Sequence, residues 1–510
     1  MRVVLRADAS LDIGTGHVMR CLSLAGRLRD LGHECRFICR TLPGHLMARL
    51  EADGFAVTAL PAPEAVMPPT PSLAHWAGVT WERDAAEVRA ALPLGVDWLV
   101  VDHYAFDHRW EMAAGLPGCK IMALDDLANR VHACDLLVDQ NTGRQDRDYD
   151  PLLPPKAERL TGPRFALLRP EFAALRPASL ARRRAQGFTP DHGLIFMGGT
   201  DLPNATGQIL RHLRSLLVRD GPLIRRLTVI MGPTAPALED IRRLAADMPI
   251  PCTVMANVPD MAALMAEADI AFGAVGGAAL ERCVLGLPTL AVVLADNQTS
   301  GARSLAALGA AVVLGTHDSP DLSARISDEL RRLSTPGALR AMSEAAARVT
   351  DGLGIGRVVA ALEAPLVLEP SDRTDAETIW HWRQALPATA FASGPNPPLA
   401  AHLAWFEAAL EAPGRHMFTA RAPHPVGHAR LDVTGDKAAT ISILIAPEMR
   451  GKGIGQRLLS LLRVRARALG LVSLEAEVHA DNAASLALFR AADFAVASTR
   501  HGFCRMRGPA

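Results

Sequence analysis

Two glycine-rich turns carry the residues best suited to chemistry, Gly14-Thr15-Gly16-His17 near the start of the chain and Arg450-Gly451-Lys452-Gly453-Ile454-Gly455 towards its end. Each follows a strand-like run and opens a helix-like one, so each offers bare backbone N–H groups to a phosphate-bearing ligand. That arrangement predicts two active sites on one polypeptide. At the first turn, His17 falls at the N-terminal end of a helix predicted from Val18. There the helix dipole disfavours an imidazolium and leaves a neutral ring to act as a base near neutral pH. The pattern by itself fits a histidine that merely caps the helix equally well. Asp102-His103-Tyr104 follows the strand Trp98 to Val101, and Asp125-Asp126 ends the next strand. These polar groups collect with His17 on the carboxyl edge of one sheet, where α/β proteins place their chemistry.

Further along, Gly198-Gly199-Thr200-Asp201, Gly276-Gly277-Ala278-Ala279-Leu280-Glu281-Arg282 and Asp296-Asn297-Gln298 each follow an apolar strand. A glycine turn opening a helix suits a diphosphate, and a glutamate one turn into that helix can accept two hydrogen bonds from a ribose diol. At the distal turn, Arg450 and Lys452 flank consecutive N–H groups ahead of an amphipathic helix from Gln456 to Leu469, which makes a pocket for a pyrophosphate. Glu475, Glu477 and His479 then alternate along one face of a strand, where any of them could act as a general base.

The elements that must position these groups follow from the apolar pattern. Up to about residue 160, strands at Val3 to Arg6, Arg36 to Cys39, Trp98 to Val101, Lys120 to Leu124 and Leu136 to Val138 alternate with helical segments, which predicts a parallel sheet covered on both faces. A second cycle runs through Leu194 to Met197, Leu227 to Met231, Thr253 to Met255, Ile270 to Phe272 and Leu290 to Val293. The basic run Ala181 to Arg184 reads as the connector between the two lobes. After a flexible link expected near 355 to 366, the order becomes mixed: two helices, strands at Met417 to Ala420, Gly427 to Asp432 and Thr440 to Ile445, the glycine turn, a helix, and a strand at Ser473 to Val478. That is an α+β pattern.

Length and composition agree with three lobes, since 510 residues exceed what one core supports. With 54 basic and 54 acidic side chains the formal charge is zero, so no global field draws nucleic acid or an anionic membrane, and a polyanionic ligand must be held locally. The N-terminus runs straight into a strand without a leader, and the apolar stretch from Ile270 to Leu294 is broken by Glu281, Arg282 and glycines, so a cytoplasmic protein without a membrane span is expected. The eight cysteines contain no C-x-x-C pair, as reduced thiols would. Cys35 and Cys39, with His33 and His45 nearby, read as part of a buried strand, and no metal is expected.

Taken in order, Arg6-Ala7-Asp8-Ala9-Ser10, Ile13 to His17, Val101-Asp102-His103-Tyr104, Met197 to Asp201 and the Gly276 to Pro288 segment resemble the UDP-sugar hydrolases of pseudaminic acid biosynthesis, over residues 1 to about 360. The resemblance implies two Rossmann-like lobes of the GT-B glycosyltransferase type, at 1–165 and 190–355. It makes His17 the base that activates water, with Asp102, Tyr104 and Asn297 completing the catalytic group. The nucleotide sugar is implied to lie against Gly14, Gly16, His103, Gly198, Gly199, Gly276, Gly277, Glu281 and Gln298, with Glu281 on the uridine ribose. The implied reaction removes UDP from UDP-2,4-diacetamido-2,4,6-trideoxy-β-L-altropyranose with inversion. Where that family commonly has small hydroxyl residues, this chain has Ala278 and Ala279, so backbone N–H groups must hold the diphosphate.

Residues 366–507 resemble the GCN5-related N-acetyltransferases (GNAT), on the 450–455 turn and the segment Glu475 to Phe494. Trp380-His381-Trp382-Arg383 and His402 to Phe406 are similar to the branch that acetylates the 4-amino group of the same altrose nucleotide. This implies acetyl-CoA as cosubstrate, held by Arg450, Gly451, Lys452, Gly453, Gly455 and Asn482. The family often has a tyrosine, which protonates the departing thiolate, where this chain has Phe489. The two resemblances together imply a bifunctional enzyme acting on UDP-amino-sugars. A UDP-sugar-dependent glycosyltransferase, or the same chemistry on a legionaminic-type epimer, is the alternative.

Overall fold

The computed structural model describes every residue except 66, 71–72, 186, 200, 222, 233–234, 387–395, 423, 436 and 452, and of Asn297 the backbone alone. The chain divides into two compact units. The first comprises Met1–Ala133, Val138–Gln145 and Thr161–Val359, and the second Cys134–Leu137, Asp146–Leu160 and Ala360–Ala510.

The N-terminal sheet has seven strands in the order Ala56–Leu60, Glu34–Arg40, Arg2–Ala7, Trp98–Asp102, Lys120–Leu124, Leu136–Asp139 and Glu158–Thr161. Arg2–Ala7 pairs in parallel with both Glu34–Arg40 and Trp98–Asp102, which brings Ala7 into register with Asp102. The second sheet has six strands, ordered Cys252–Ala256, Arg226–Met231, His192–Phe196, Ile270–Ala274, Thr289–Val293 and Val312–Thr316. Consecutive Leu194 and Ile195 are both fully buried and belong to different core clusters. That is why these strands read as unbroken apolar runs: helices cover both faces of a parallel sheet. The first unit is thus two Rossmann-like lobes.

Two connections differ from expectation. Ala181 to Arg184 is the last turn of the helix Pro170–Arg184 rather than a connector. Its Arg183 is buried and donates to the carbonyls of Leu285, Ala268 and Met265. The link expected near 355 to 366 is largely the helix Gly354–Glu363, pinned by buried Val358, Val359, Ala361 and Leu362. Gly354 is obligatory there, because a Cβ would come within 2.3 Å of the Ala166 carbonyl oxygen.

In the second unit a mixed sheet of seven strands runs Val367–Pro370, Arg415–Arg421, Pro425–Gly435, Ala438–Ile445, Ser473–His479, Phe503–Pro509 and Ala495–Arg500. Among the described residues, its one parallel pairing joins Ala438–Ile445 to Ser473–His479. The helix Ile454–Ala468 packs Leu458, Leu459, Leu461 and Leu462 into the core of this sheet. On the same helix, Arg457 pairs with Glu158 and donates to the Ala364 carbonyl, and Ser460 donates to Asp146 at 2.5 Å. The segment 146–160 is therefore part of the packing of this domain.

Candidate active sites

The first site is built on a tight turn. Ser10 Oγ accepts the N–H groups of Asp12 and Ile13, the Ser10 carbonyl accepts the Gly14 N–H at 2.9 Å, and Gly14 closes the turn with φ of 78°. A left-handed residue is required at that point, which favours glycine. The helix Gly16–Asp30 begins at once, and no side chain caps its N-terminus. Thr15 and Gly16 are exposed there, so the first N–H groups stay open to a ligand.

His17 sits in the first turn of that helix, 7% exposed. Its Nδ1 lies 2.5 Å from Asp102 Oδ1. Asp102 is acceptor-only as a carboxylate, so Nδ1 is the donor of this pair, and in the neutral tautomer it selects Nε2 is the acceptor. The ring meets Tyr104 edge-on, with centroids 4.6 Å apart, and Tyr104 stacks on Trp76 at 5.6 Å. Arg20, one turn further along the helix, donates twice to Asp102 at 2.6 Å and once to Asp126 at 2.7 Å. Asp126 also accepts the Tyr104 hydroxyl at 2.6 Å. Burial alone would raise the Asp102 carboxyl, but Arg20 and His17 hold it well below the usual carboxylate range. Burial and Asp126 push the Tyr104 phenol far up, so it stays protonated and donates. The arrangement is an oriented imidazole whose carboxylate partner is itself locked by a guanidinium, the form of a general base.

His103 takes a different place from its neighbours. It is buried, its Nδ1 accepts the Ala105 N–H, and its Nε2 points at Asp8 from 3.5 Å. Burial lowers its pKa despite Asp8. Beneath it, Arg6 bridges Asp8 at 2.6 Å and Asp84 at 2.7 Å, and Arg40 joins Asp84 at 2.6 Å. His103 thus belongs to a buried ionic network that supports the edge rather than to the surface a ligand would meet.

In the second lobe Gly276 precedes the helix Gly277–Val284, and both glycines are exposed with open space before them. Glu281 lies one turn in and pairs with Arg169 at 3.4 Å; burial raises its pKa. Gly198 has φ of 110° and Gly199 is exposed. Asp201, in contrast, accepts the N–H groups of Ala205 and Thr206 in the first turn of the helix Ala205–Asp220, whose N-cap is Asn204. Gln298 spends its side-chain oxygen on the Leu294 N–H. Asn297 lies in the short 3-10 turn Asp296–Gln298, and its side chain falls outside the described residues, as do Thr200 and Lys452.

The second site forms where Gly451 and Gly453, with φ of 76° and 80°, deliver the chain into the helix Ile454–Ala468, again without a side-chain cap. Arg450 donates to the Ile445 carbonyl at 3.3 Å, and Gly455 packs against Leu488. Asn482 caps the helix Ala483–Arg490 by accepting the Ser485 N–H at 3.0 Å. Glu475 is committed to Arg505 and Arg507 across the strand pair, and both lower its pKa. Glu477 and His479 share its face without that commitment, and Glu477 is exposed. Phe489 is buried against Phe494, with centroids 5.1 Å apart. Sequence reasoning missed Arg20, Asp126 as its second anchor, and Trp76. The i, i+3 spacing of His17 and Arg20 on one helix face was the available signal for the first.

Among the described residues, no group of three or more His, Cys, Asp or Glu is placed to hold a metal, and no helix is long and apolar enough to cross a membrane.

Comparison with known proteins agrees with this geometry. The two-lobed region has the GT-B fold: MurG of Acinetobacter baumannii superposes with a TM-score of 0.51 at 18% identity, covering 71% of this chain and 99% of MurG. Residues 377–494 match the Acetyltransferase (GNAT) family, so the chain joins a GT-B-type region to a GNAT acetyltransferase domain. The N-terminal part is a distant homologue of the UDP-2,4-diacetamido-2,4,6-trideoxy-β-L-altropyranose hydrolase of Campylobacter jejuni, 26% identical over 250 residues, or 48% of this chain and 74% of that protein. It is also 28% identical over 171 residues to the spore coat polysaccharide biosynthesis protein SpsG of Bacillus subtilis, covering 33% of this chain and about half, 49%, of SpsG.

Proposed function

We propose that this chain is a bifunctional enzyme of nonulosonic acid synthesis. Its GNAT domain acetylates the 4-amino group of a UDP-4-amino-sugar with acetyl-CoA, and its first unit hydrolyses UDP from the resulting UDP-2,4-diacetamido-2,4,6-trideoxy-β-L-altropyranose. The observation that carries the hydrolase reading is the His17–Asp102 pair at 2.5 Å, set at an uncapped helix N-terminus on the carboxyl edge of the first sheet. His17 Nε2 takes a proton from water as the water oxygen attacks the anomeric carbon. The bond from that carbon to the phosphate oxygen breaks with its electron pair going to UDP, and the configuration inverts. Gly276 and Gly277 offer backbone N–H groups to the departing diphosphate. In the GNAT domain the Gly451–Gly453 turn receives the cosubstrate's pyrophosphate, and Glu477 or His479 takes the proton of the ammonium.

The test is a mass-resolved incubation of the full chain with UDP-4-amino-4,6-dideoxy-N-acetyl-β-L-altrosamine, with and without acetyl-CoA. Acetylated nucleotide followed by free diacetamido sugar and UDP is the expected course. His17→Ala is expected to stop it at the acetylated nucleotide while still binding UDP. Turnover only of gluco-configured epimers overturns the sugar assignment, and UDP release only when a second sugar acceptor is added overturns the hydrolase in favour of a glycosyltransferase.

A further inference from the structure

The helix that opens at Gly277 hides a cation. Arg282 is 1% exposed, and its Nη2 donates to the Ala274 carbonyl at 2.6 Å, two residues before Gly276. The guanidinium lies flat on Gly273 of the strand Ile270–Ala274: a Cβ there would come within 2.5 Å of Nη1 and 2.8 Å of Cζ. Glycine at 273 is what admits the arginine, and the arginine in turn underlies the end of the strand that delivers the Gly276-Gly277 turn.

Among the described residues no carboxylate contacts this charge, and the neighbouring Glu281 acts on it only through space. Among the described residues no ion pair reaches Arg282, and its Nε has no hydrogen-bond partner. The adjacent carboxylate, Glu281, is the partner of Arg169. Burial accordingly lowers the Arg282 pKa to about 10, which still leaves it charged at neutral pH. A buried guanidinium without a contacting carboxylate costs stability, so its presence at this point needs a reason. The turn above it supplies one. Gly276 and Gly277 are exposed with nothing before them, and Ala278 and Ala279 bring no hydroxyl to help hold an anion.

We propose that Arg282 is the fixed countercharge for the diphosphate of the nucleotide bound at the Gly276-Gly277 turn, acting through the turn as a positioning residue rather than by contact. It adds a full positive charge to the partial one of the helix N-terminus, in surroundings that screen it weakly. It thereby takes over from the hydroxyl groups this chain lacks. The inference rests on the nucleotide-sugar reading of the first unit.

The experiment compares the affinities of UDP and uridine for the full chain and for Arg282→Met and Arg282→Lys, by ligand-observed NMR titration, with the melting temperature of each unliganded protein. Arg282→Met is expected to weaken UDP by about tenfold or more and to leave uridine within about twofold. Its unliganded melting temperature should be unchanged or higher, since a buried unpaired charge has gone. Arg282→Lys, which keeps the charge, should bind UDP close to the wild-type affinity. Equal losses for UDP and uridine with a lowered melting temperature make Arg282 a packing residue and overturn the proposal, as does undiminished UDP binding by Arg282→Met. If Arg282→Met does not fold, Arg282→Gln, which keeps a donor for the Ala274 carbonyl, carries the same comparison. A wild-type chain that binds neither ligand overturns the nucleotide reading itself, a result distinct from either of these.

Discussion

Asp102 Oδ1 lies 2.5 Å from His17 Nδ1 while Arg20 occupies both oxygens of the same carboxylate. The carboxylate is buried, so its charge is compensated from one side by a permanent cation and directed from the other at the imidazole. Arg20 thus fixes Asp102, Asp102 fixes the tautomer of His17, and the free Nε2 is the result. Asp102→Asn keeps the shape but can present an N–H to Nδ1 and favour the wrong tautomer. Hydrolysis is expected to fall by about 10³–10⁴ in kcat, with UDP affinity unchanged in a binding titration. An equal loss of binding would show that Asp102 holds the fold of the edge instead.

Arg20 stands between two carboxylates, Asp102 and Asp126. Arg20→Met leaves both at a buried edge with one cation removed. Breaking a buried ion pair from one side costs about 3–5 kcal/mol, so the urea midpoint should drop accordingly. Arg20→Met combined with Asp126→Asn should recover part of the loss, because one unpaired charge goes with its partner.

His132 provides a pH signature of its own. It is buried between Glu111, 2.6 Å from its Nδ1, and Asp125, 3.8 Å from its Nε2. Burial opposes its charge, yet the two carboxylates raise its pKa from 6.5 to about 9. A raised folded-state value stabilises fully below the unfolded value and is lost as pH rises through the folded one. Stability should therefore fall between about pH 6.5 and pH 9, by up to about 3 kcal/mol. Denaturant titrations across that range check it, and the slope should vanish in His132→Gln.

Much of this was legible in the chain. The alternation of apolar strands and helices marked both Rossmann-like sheets because their strands are buried on both faces, and the glycine turns marked helix N-termini that no side chain caps. The partners of the site residues were less legible, because they meet through the sheet order. Asp102 reaches His17 only because Trp98–Asp102 is inserted beside Arg2–Ala7, and Trp76 reaches Tyr104 from the short 3-10 helix Ala74–Ala77. Edge strands such as Ala56–Leu60, buried only at Leu60, and the fully exposed Ala495–Arg500 lack the unbroken burial of the central strands, so their pairing comes from the strands beside them. The strand alternation that grouped Glu475, Glu477 and His479 was sound, but which of them is committed depended on the residues opposite, Arg505 and Arg507.

Gly273→Ala tests the strand that leads to the Gly276-Gly277 turn without replacing any titratable group. The added methyl would meet the Arg282 guanidinium at 2.5 Å and force it off the strand. Overpacking of this kind costs about 1–3 kcal/mol, seen as a lowered melting temperature. The double variant Gly273→Ala, Arg282→Met should regain most of it, which a thermal-unfolding cycle would show as non-additivity.

Of the three candidate bases of the proposed acetyl transfer, the structure sets one apart. Glu475 is held by two guanidiniums that lower its pKa, so it is a poor proton acceptor and a structural clamp between neighbouring strands. Its arginines are more than half exposed, at 55% and 62%, so Glu475→Gln should cost only about 1 kcal/mol of stability and leave acetyl transfer nearly intact. Glu477 and His479 lie on the same face without that clamp, and the base should be one of the two. The corresponding Gln variant should cut kcat/KM for the amine by about 10²–10⁴ and remove the acidic limb of the pH profile, the fall in rate on protonating the base, while acetyl-CoA affinity holds. If Glu475→Gln alone abolishes transfer and neither other variant does, the clamp is the catalytic group and its arginines must release it on binding substrate.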